Sequence, residues 1–162
     1  NPDYAALRMG DFIFGGGFRN SRLETRIRQK EGISYGVGSF LQVPSLDETG
    51  IFGSYAIYNP DNKAKLEAAW KEELAKMLQE GITEDELKQA KSGYIQYRTS
   101  GRAEDSRLVT TLNGYLFLDR KMMWDQALDD KLQKLTAAEI NSVMKKYLDA
   151  GKISFIKAGD FK

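Results

Sequence analysis

The helical and strand-like segments of this chain are clustered instead of alternating, and this arrangement constrains its fold more than any other feature. Residues 34–43 alternate in the manner of a strand, residues 50–58 are rich in aromatic and β-branched side chains, and a polar loop joins the two. This pattern predicts an antiparallel β-hairpin. Two helices are predicted before the hairpin, and five helices and a last strand at 152–158 after it. Such clustering predicts an α+β fold, with a mainly antiparallel sheet and helices packed on one face.

Capping signals predict where the helices begin and end. Thr83 and Thr136 each stand three residues before a glutamate, which is the pattern of a capping box at a helix N-terminus. Glycine readily adopts the left-handed conformation that closes a helix, so glycines predict helix ends. The predicted ends lie before Gly32, Gly81 and Gly151, and residues 100–101 are predicted to interrupt the helix that follows Thr83.

The chain has the size of one domain. A sequence of 162 residues supports a single hydrophobic core, and no linker or internal repeat divides residues 1–162. Three strands make a thin sheet for seven helices. We therefore expect strands of the same sheet to precede Asn1, as in a fragment of a larger protein. An incomplete sheet exposes an unpaired strand edge, so a dimer of the isolated chain is also expected.

The sequence contains no histidine and no cysteine. These residues supply thiolate nucleophiles, Ser-His-Asp triads and most zinc and haem sites, so chemistry carried out by this chain alone is not expected. The 24 basic and 23 acidic residues leave a net charge of +1, without long blocks of one sign. This balance argues against a nucleic-acid partner and against a polybasic membrane anchor.

Two kinds of motif have both a functional and a structural interpretation. Gly15-Gly16-Gly17 lacks the spacing of a phosphate-binding loop and is interpreted as a tight turn between helices, with anion binding as the alternative. The acidic pairs at 72–73, 104–105 and 129–130 are of a kind that holds Mg²⁺ or Ca²⁺. Because neighbouring helix residues point about 100° apart, each pair is instead predicted to lie on a solvated face.

Arg28 and Tyr35 form the candidate site. Arg28 falls in the last turn of the second helix and Tyr35 opens the first strand, so the reversal at Glu31-Gly32 is able to return Tyr35 close to Arg28. A fixed cation and a phenolic donor suit the binding of a carbonyl or carboxylate group. The residues alone leave a structural alternative open. Arginine is common at helix C-termini, and alternation places Tyr35 on the same, core-facing side of its strand as Val37.

An ordered set of motifs runs through the sequence. A glycine-rich turn at 15–18 is followed by Ser-Arg-Leu, by Arg-Gln-Lys-Glu-Gly and then by Tyr35; the hairpin, the segments 81–87 and 135–140, and residues 158–160 complete the set. The set resembles the second homologous domain of insulinase/pitrilysin-type zinc peptidases, a family that includes the mitochondrial processing peptidases. The resemblance covers nearly the whole chain, with Gln29 where glutamate is common in the family.

This resemblance implies a role beside a catalytic partner. In the family, the catalytic domain carries the zinc motif His-x-x-Glu-His, and a paired domain without this motif closes over the substrate. A chain without histidine resembles only the paired domain. It is therefore expected to bind no metal and to be inactive alone, with zinc in a homologous catalytic domain of the same or another chain. The family's substrate-binding Arg and Tyr, seven residues apart, match Arg28 and Tyr35.

A structural subunit is the second interpretation. The core proteins of respiratory complexes share this fold without needing proteolysis, so the resemblance extends to them. The presence of both Arg28 and Tyr35 favours the peptidase interpretation, because a purely structural subunit has no need of the pair.

Overall fold

The computed structural model describes residues 1–17 and 19–160; Phe18 of the glycine-rich turn, Phe161 and Lys162 lie outside the described residues. Helices make up most of the described chain, together with one hairpin. In chain order the elements are α1 (Tyr4–Asp11), two π-helical segments (Phe12–Gly16 and Glu24–Lys30), β1 (Ser34–Gln42), β2 (Ile51–Tyr58), α2 (Lys63–Gln79), α3 (Glu84–Ala103), α4 (Asp105–Phe117), α5 (Met122–Lys134) and α6 (Ala137–Tyr147), with 3₁₀ turns at Pro60–Asn62 and Ala150–Lys152.

The predicted hairpin is confirmed. β1 and β2 pair antiparallel, with Val37 opposite Ala56 and Leu41 opposite Phe52. Val37 and Leu41 are buried beneath the sheet, whereas Ile57 of β2 lies on its exposed outer face. The helices therefore cover one face of an antiparallel sheet, as the predicted α+β class requires.

Amphipathic helices and β1 share one core. Apolar side chains spaced a helical turn apart on α1, α2, α3, α5 and α6 meet in a single cluster. The ring of Phe14 lies 5.8 Å from that of Phe52 and 5.9 Å from that of Trp70, which connects β2 to α2. None of the described helices is both long enough and apolar enough to cross a membrane. The largest fully buried side chains are Met9, Phe14, Leu23, Ile27, Leu74, Met77, Leu87, Leu132, Ile140 and Met144.

Both predicted capping boxes are confirmed. Thr83 Oγ1 accepts from the backbone N–H of Glu86 at 3.2 Å, and the Glu86 carboxylate accepts from the backbone N–H of Thr83 at 2.8 Å. The box at the start of α6 has the same geometry. The predicted end of α6 is wrong by several residues. The helix stops at Tyr147 because Leu148 is already extended (φ −109°, ψ 133°) and packs against the core.

The predicted interruption at residues 100–101 is wrong, because α3 continues to Ala103. A glycine inside a helix costs about 1 kcal/mol relative to alanine, which is too little to break a helix that is anchored on both sides. The chain leaves the helix at Glu104, whose ψ of 116° is extended.

Four charged side chains anchor α3 to α5. Arg98 Nη2 lies 2.8 Å from Asp125 Oδ1, and Arg98 also pairs with Asp129. Arg102 lies 2.6 Å from Asp125 Oδ2 and 2.9 Å from Asp129 Oδ2. The hydroxyl of Tyr115, on α4, donates to Asp125 at 2.5 Å. We refer to these five side chains as the α3–α5 network, and its arginines hold the helical geometry across residues 100–101.

The predicted last strand at 152–158 is also wrong. A strand requires a neighbour for its backbone hydrogen bonds, and the described sheet contains only β1 and β2. The segment instead follows α2 through side-chain contacts. The ring of Phe155 lies 5.4 Å from that of Trp70, and Lys157 Nζ lies 2.5 Å from the carboxylate of Glu67.

Candidate functional site

The connection between Arg28 and Tyr35 is a tight reversal, as predicted. The second π-helical segment ends after Arg28, and Gly32 adopts a φ of +63°, the left-handed conformation in which an L side chain is strained. The backbone N–H of Gly32 donates to the Arg28 carbonyl, and that of Ile33 donates to the Ile27 carbonyl, both at 3.2 Å. These bonds close the helix and direct the chain into β1.

A bulge places Tyr35 in solvent. Ser34 lies opposite Tyr58 and Gly36 lies opposite Ile57, so Tyr35 is an extra residue with no partner on β2. The hydroxyl of Ser34 donates to the Ile57 carbonyl at 2.9 Å and holds this geometry. Tyr35 is 82% exposed. The core-facing position expected from strict alternation is therefore wrong, because one additional residue reverses the direction of the side chain.

The side chain of Arg28 is half-exposed and, among the described residues, forms one ion pair. Its Nη1 lies 3.3 Å from Glu24 Oε2, one helical turn earlier, and about half of its side chain is accessible to solvent. Guanidinium carries five N–H donors, so this single contact leaves most of them available. Within residues 1–17 and 19–160, no hydrogen bond or cation–π contact joins Arg28 to Tyr35.

An open groove of about 260 Å³ borders Glu24, the ion-pair partner of Arg28. It is lined by Gly15, Gly16, Gly17, Arg19, Glu24, Val37, Ser39 and Tyr55. Glu24 connects the groove to Arg28 through the ion pair. Its spacing of four residues from Arg28 was a sequence signal for this contact. Arg19 and Tyr55 come from separate elements, so no local pattern identifies them as neighbours.

The chain has relatives of known family. The family model described as "Peptidase M16 inactive domain" matches residues 1–94, more than half of the chain. The chain belongs to this family. The match confirms the resemblance to zinc peptidases and, specifically, to the domain that lacks the catalytic motif.

Individual relatives of the M16 inactive domain agree with this assignment. "Non-peptidase homolog YmxG" of Helicobacter pylori is 28% identical over 154 residues, covering 94% of this chain and 35% of the relative. An uncharacterized zinc protease of Streptomyces coelicolor is 27% identical over 130 residues, covering 79% and 27%. The solved M16 inactive domain from Pseudomonas fluorescens superposes with a TM-score of 0.79 at 27% identity, covering 94% and 36%. This chain thus spans about a third of the length of the relatives that it matches.

Packing of the glycine-rich turn against β1 positions one wall of the groove. A Cβ atom on Gly15 would lie 2.7 Å from Ser39 N and 2.8 Å from Leu23 Cδ1, so only glycine permits this approach. Beneath the turn, Ser39 Oγ donates to the buried carboxylate of Asp11 at 2.7 Å. Burial raises the pKa of Asp11 above its ordinary value, although Ser39 and Arg8 partly offset this effect.

Gly15→Ala should destabilise this M16 domain by about 1–3 kcal/mol, because the added methyl group overpacks a buried contact. Gly36→Ala is the matched control: nothing lies within 4 Å of a Cβ atom at position 36. We expect that control to change the free energy of unfolding by no more than about 1 kcal/mol. Denaturant unfolding of both variants measures the difference. Equal stabilities would contradict the close contact between Gly15 and β1.

The predicted solvated positions of the acidic pairs hold only in part. Asp129 is buried in the α3–α5 network, and Glu73 is buried with its carboxylate 3.8 Å from Arg26 Nε. Asp130 is exposed as predicted. Adjacent residues occupy different faces of a helix, so one member of such a pair can enter an ion-pair network while the other remains in solvent.

Proposed function

We propose that this chain is the zinc-free, substrate-contacting domain of an M16-type metallopeptidase, where it closes over a peptide bound at a homologous zinc-bearing domain. The observation that carries the proposal is the bulge in β1, which directs the phenol of Tyr35 into solvent instead of the core. Arg28, shortly before the same end of β1, keeps most of its donors available. Family membership supports the proposal.

Arg28 and Tyr35 offer complementary chemistry toward a peptide. A guanidinium group is a cation and not a base, so the proposed role of Arg28 is to hold a substrate carbonyl or a C-terminal carboxylate. Tyr35 offers a phenolic hydroxyl donor, which suits an oxyanion that develops on the substrate carbonyl. Both roles consist of binding and charge stabilisation. Neither role requires burial within this domain.

Zinc does not fit on this chain. The sequence contains neither histidine nor cysteine, and the described residues contain no group of three or more acidic side chains placed to hold a metal ion. Carboxylates alone favour hard cations over zinc. The proposal therefore assigns the metal to the partner domain and assigns to this chain the binding and orientation of the peptide.

A structural role is the second candidate function. One relative that covers 94% of this chain carries the name "Non-peptidase homolog", so the family includes a member named for the absence of this activity. In that role the domain would assemble with a partner without contacting substrate. Arg28 and Tyr35 would then be surface residues with no role in substrate binding.

The isolated chain should hold no stoichiometric zinc and cleave no peptide, because the usual zinc ligands are absent. Peptide hydrolysis should appear when a homologous domain carrying His-x-x-Glu-His is added, and it should exceed the activity of that domain alone. Elemental analysis and a fluorogenic peptide assay measure the two results. A mixture that forms a stable complex but gains no hydrolysis would support the structural role instead. One tightly bound zinc per chain would contradict the proposed zinc-free role.

A further inference from the structure

One arginine holds the segment that carries the candidate pair. Arg26 lies in the second π-helical segment, two residues before Arg28. Residues two apart on a helix point to different sides of it. Arg28 accordingly leaves about half of its side chain in solvent, whereas Arg26 contacts α2 and is 30% exposed. Arg26 is therefore able to anchor the segment without covering Arg28.

Three carboxylates converge on the guanidinium of Arg26. Its Nη2 lies 2.8 Å from Glu72 Oε2, and its Nε lies 3.8 Å from Glu73 Oε1; both glutamates belong to α2. Its Nη1 pairs with Glu31, whose side chain is largely shielded from solvent. A guanidinium presents five donors in a rigid planar fork, so a single arginine can bridge several carboxylates. We refer to these four side chains as the Arg26 cluster.

The Arg26 cluster ties the reversal before β1 to a long helix. Glu31 directly precedes Gly32, the residue with positive φ at which the chain turns toward Tyr35. By pairing with Glu31, Arg26 connects the start of the turn to its end. By pairing with α2, the same cation fixes both ends to an element of 17 residues. The backbone positions of Arg28 and Tyr35 therefore depend on one shared contact.

We propose that Arg26 is a positioning residue for peptide contact, because it sets the separation of Arg28 from Tyr35 without touching the substrate. This inference rests on the proposed function of that pair. Among the described residues, no hydrogen bond or cation–π contact joins Arg28 to Tyr35, so their relative position must come from the backbone and its supports. Positioning matters for catalysis, since a displacement of about 1 Å can lower a rate by about 10²-fold.

The lysines around the cluster are weaker supports than Arg26. Lys65 Nζ lies 3.4 Å from Glu31 Oε2, and Lys76 Nζ lies 3.4 Å from Glu73 Oε1. Both lysine side chains are at least half-exposed, and exposed ion pairs contribute little to stability. Without Arg26, three neighbouring carboxylates would face only these two lysines. Removal of one partner leaves uncompensated charge, which would favour movement of Glu31 away from α2.

Arg26→Gln should lower kcat/KM by about 10–10²-fold in the complex of this chain with a zinc-bearing partner domain. Arg102→Gln is the matched control, because the Arg102 side chain is also 30% exposed and also bridges two carboxylates, Asp125 and Asp129, on another helix. Both variants should lower the melting temperature. Well below both transitions, only Arg26→Gln should lose activity. Equal losses of kcat/KM would overturn the inference, because a general loss of stability would then explain them.

A double-mutant cycle tests whether Arg26 acts through Tyr35. In a chain that already carries Tyr35→Phe, the hydroxyl that Arg26 positions is absent, so Arg26→Gln should cause a smaller fold-loss than in the unmodified chain. A residue with a merely structural role would give the same fold-loss in both backgrounds. Additive losses would therefore overturn the inference.

Hydrogen exchange of the 162-residue chain tests the anchor without an activity measurement. The backbone amides of Gly32 and Ile33 form the hydrogen bonds that close the reversal. These two amides should exchange faster in Arg26→Gln and at the unmodified rate in Arg102→Gln, because local opening governs exchange at such sites. Unchanged exchange of Gly32 and Ile33 in Arg26→Gln would overturn the inference.

Failure of this inference is distinguishable from failure of the proposed function. Normal activity of Arg26→Gln together with impaired activity of Tyr35→Phe would overturn the positioning role alone. Normal activity of both variants would overturn the positioning role and the proposed function together. Impaired activity of both, with non-additive losses and faster exchange at the reversal, is the expected result.

Discussion

Tyr35→Phe, tested in the complex of this chain with a zinc-bearing partner domain, should lower kcat/KM for peptide hydrolysis by about 10²–10³. The substitution removes the hydroxyl donor that is proposed to stabilise a developing oxyanion, and it leaves the ring in place. Arg28→Ala should also lower kcat/KM, with a larger share of the loss in KM, because a cation that holds a carboxylate binds the ground state as well as the transition state. Steady-state kinetics of the two variants separates these effects.

Exposed residues of the same types provide the controls. Tyr97 is 57% exposed and stacks on Tyr94, and the Arg107 guanidinium pairs with Glu104 at 2.9 Å much as Arg28 pairs with Glu24. Tyr97→Phe and Arg107→Ala should leave kcat/KM unchanged. All four variants should keep the melting temperature, because surface substitutions usually change stability by less than about 0.5 kcal/mol. Near-normal activity of Tyr35→Phe would refute its proposed role, as would a loss explained by unfolding.

Asp125→Ala should produce the largest change in stability, a loss of about 3–5 kcal/mol in the free energy of unfolding. Asp125 is buried and accepts hydrogen bonds from Arg98, Arg102 and Tyr115. Its removal leaves two arginines facing the single carboxylate of Asp129. Asp130→Ala is the control, because Asp130 is exposed and, within the described part of the chain, its carboxylate accepts a hydrogen bond only from the side chain of Gln126. Denaturant unfolding measures both variants, and equal losses would show that the α3–α5 network contributes little.

The same network predicts a dependence of stability on pH. Burial would raise the pKa of Asp125, but Tyr115 and the two arginines outweigh burial and hold that pKa below its ordinary value. A carboxyl group with a lowered pKa in the folded state contributes stability above its unfolded pKa and loses this contribution as the pH falls. The unmodified chain should therefore lose more stability than Asp125→Ala on acidification below the ordinary aspartate range. Parallel pH profiles would contradict this expectation.

Local patterns predicted those parts of the fold that local interactions determine. The capping boxes at Thr83 and Thr136 depend on residues three positions apart, and the hairpin depends on alternation and a polar loop. The prediction of a strand at 152–158 was wrong because a strand also needs a neighbouring strand, which no local pattern indicates. The predicted interruption of the helix at 100–101 was wrong for a related reason, because the contacts that stabilise this part of α3 come from another helix.

The residues of the candidate site could be predicted from the sequence, but their geometry could not. The glycine reversal and the spacing of Arg28 from Tyr35 were evident in the sequence, whereas the exposure of Tyr35 depends on a bulge. A bulge is defined by the register between two strands, and alternation along one strand cannot indicate the extra residue. The groove beside Glu24 likewise depends on Tyr55 of the second strand.

Because of the bulge, folding does not determine which residue selection retains at position 35. Ser34 and backbone atoms hold the bulge, so the phenol is free to change without disturbing the core. A relative whose domain no longer contacts peptide would therefore keep the bulge, while the residue at this position would be free to change. Under the proposed function, the residue at position 35 would therefore vary with peptide contact among relatives, whereas the conformation around it would not.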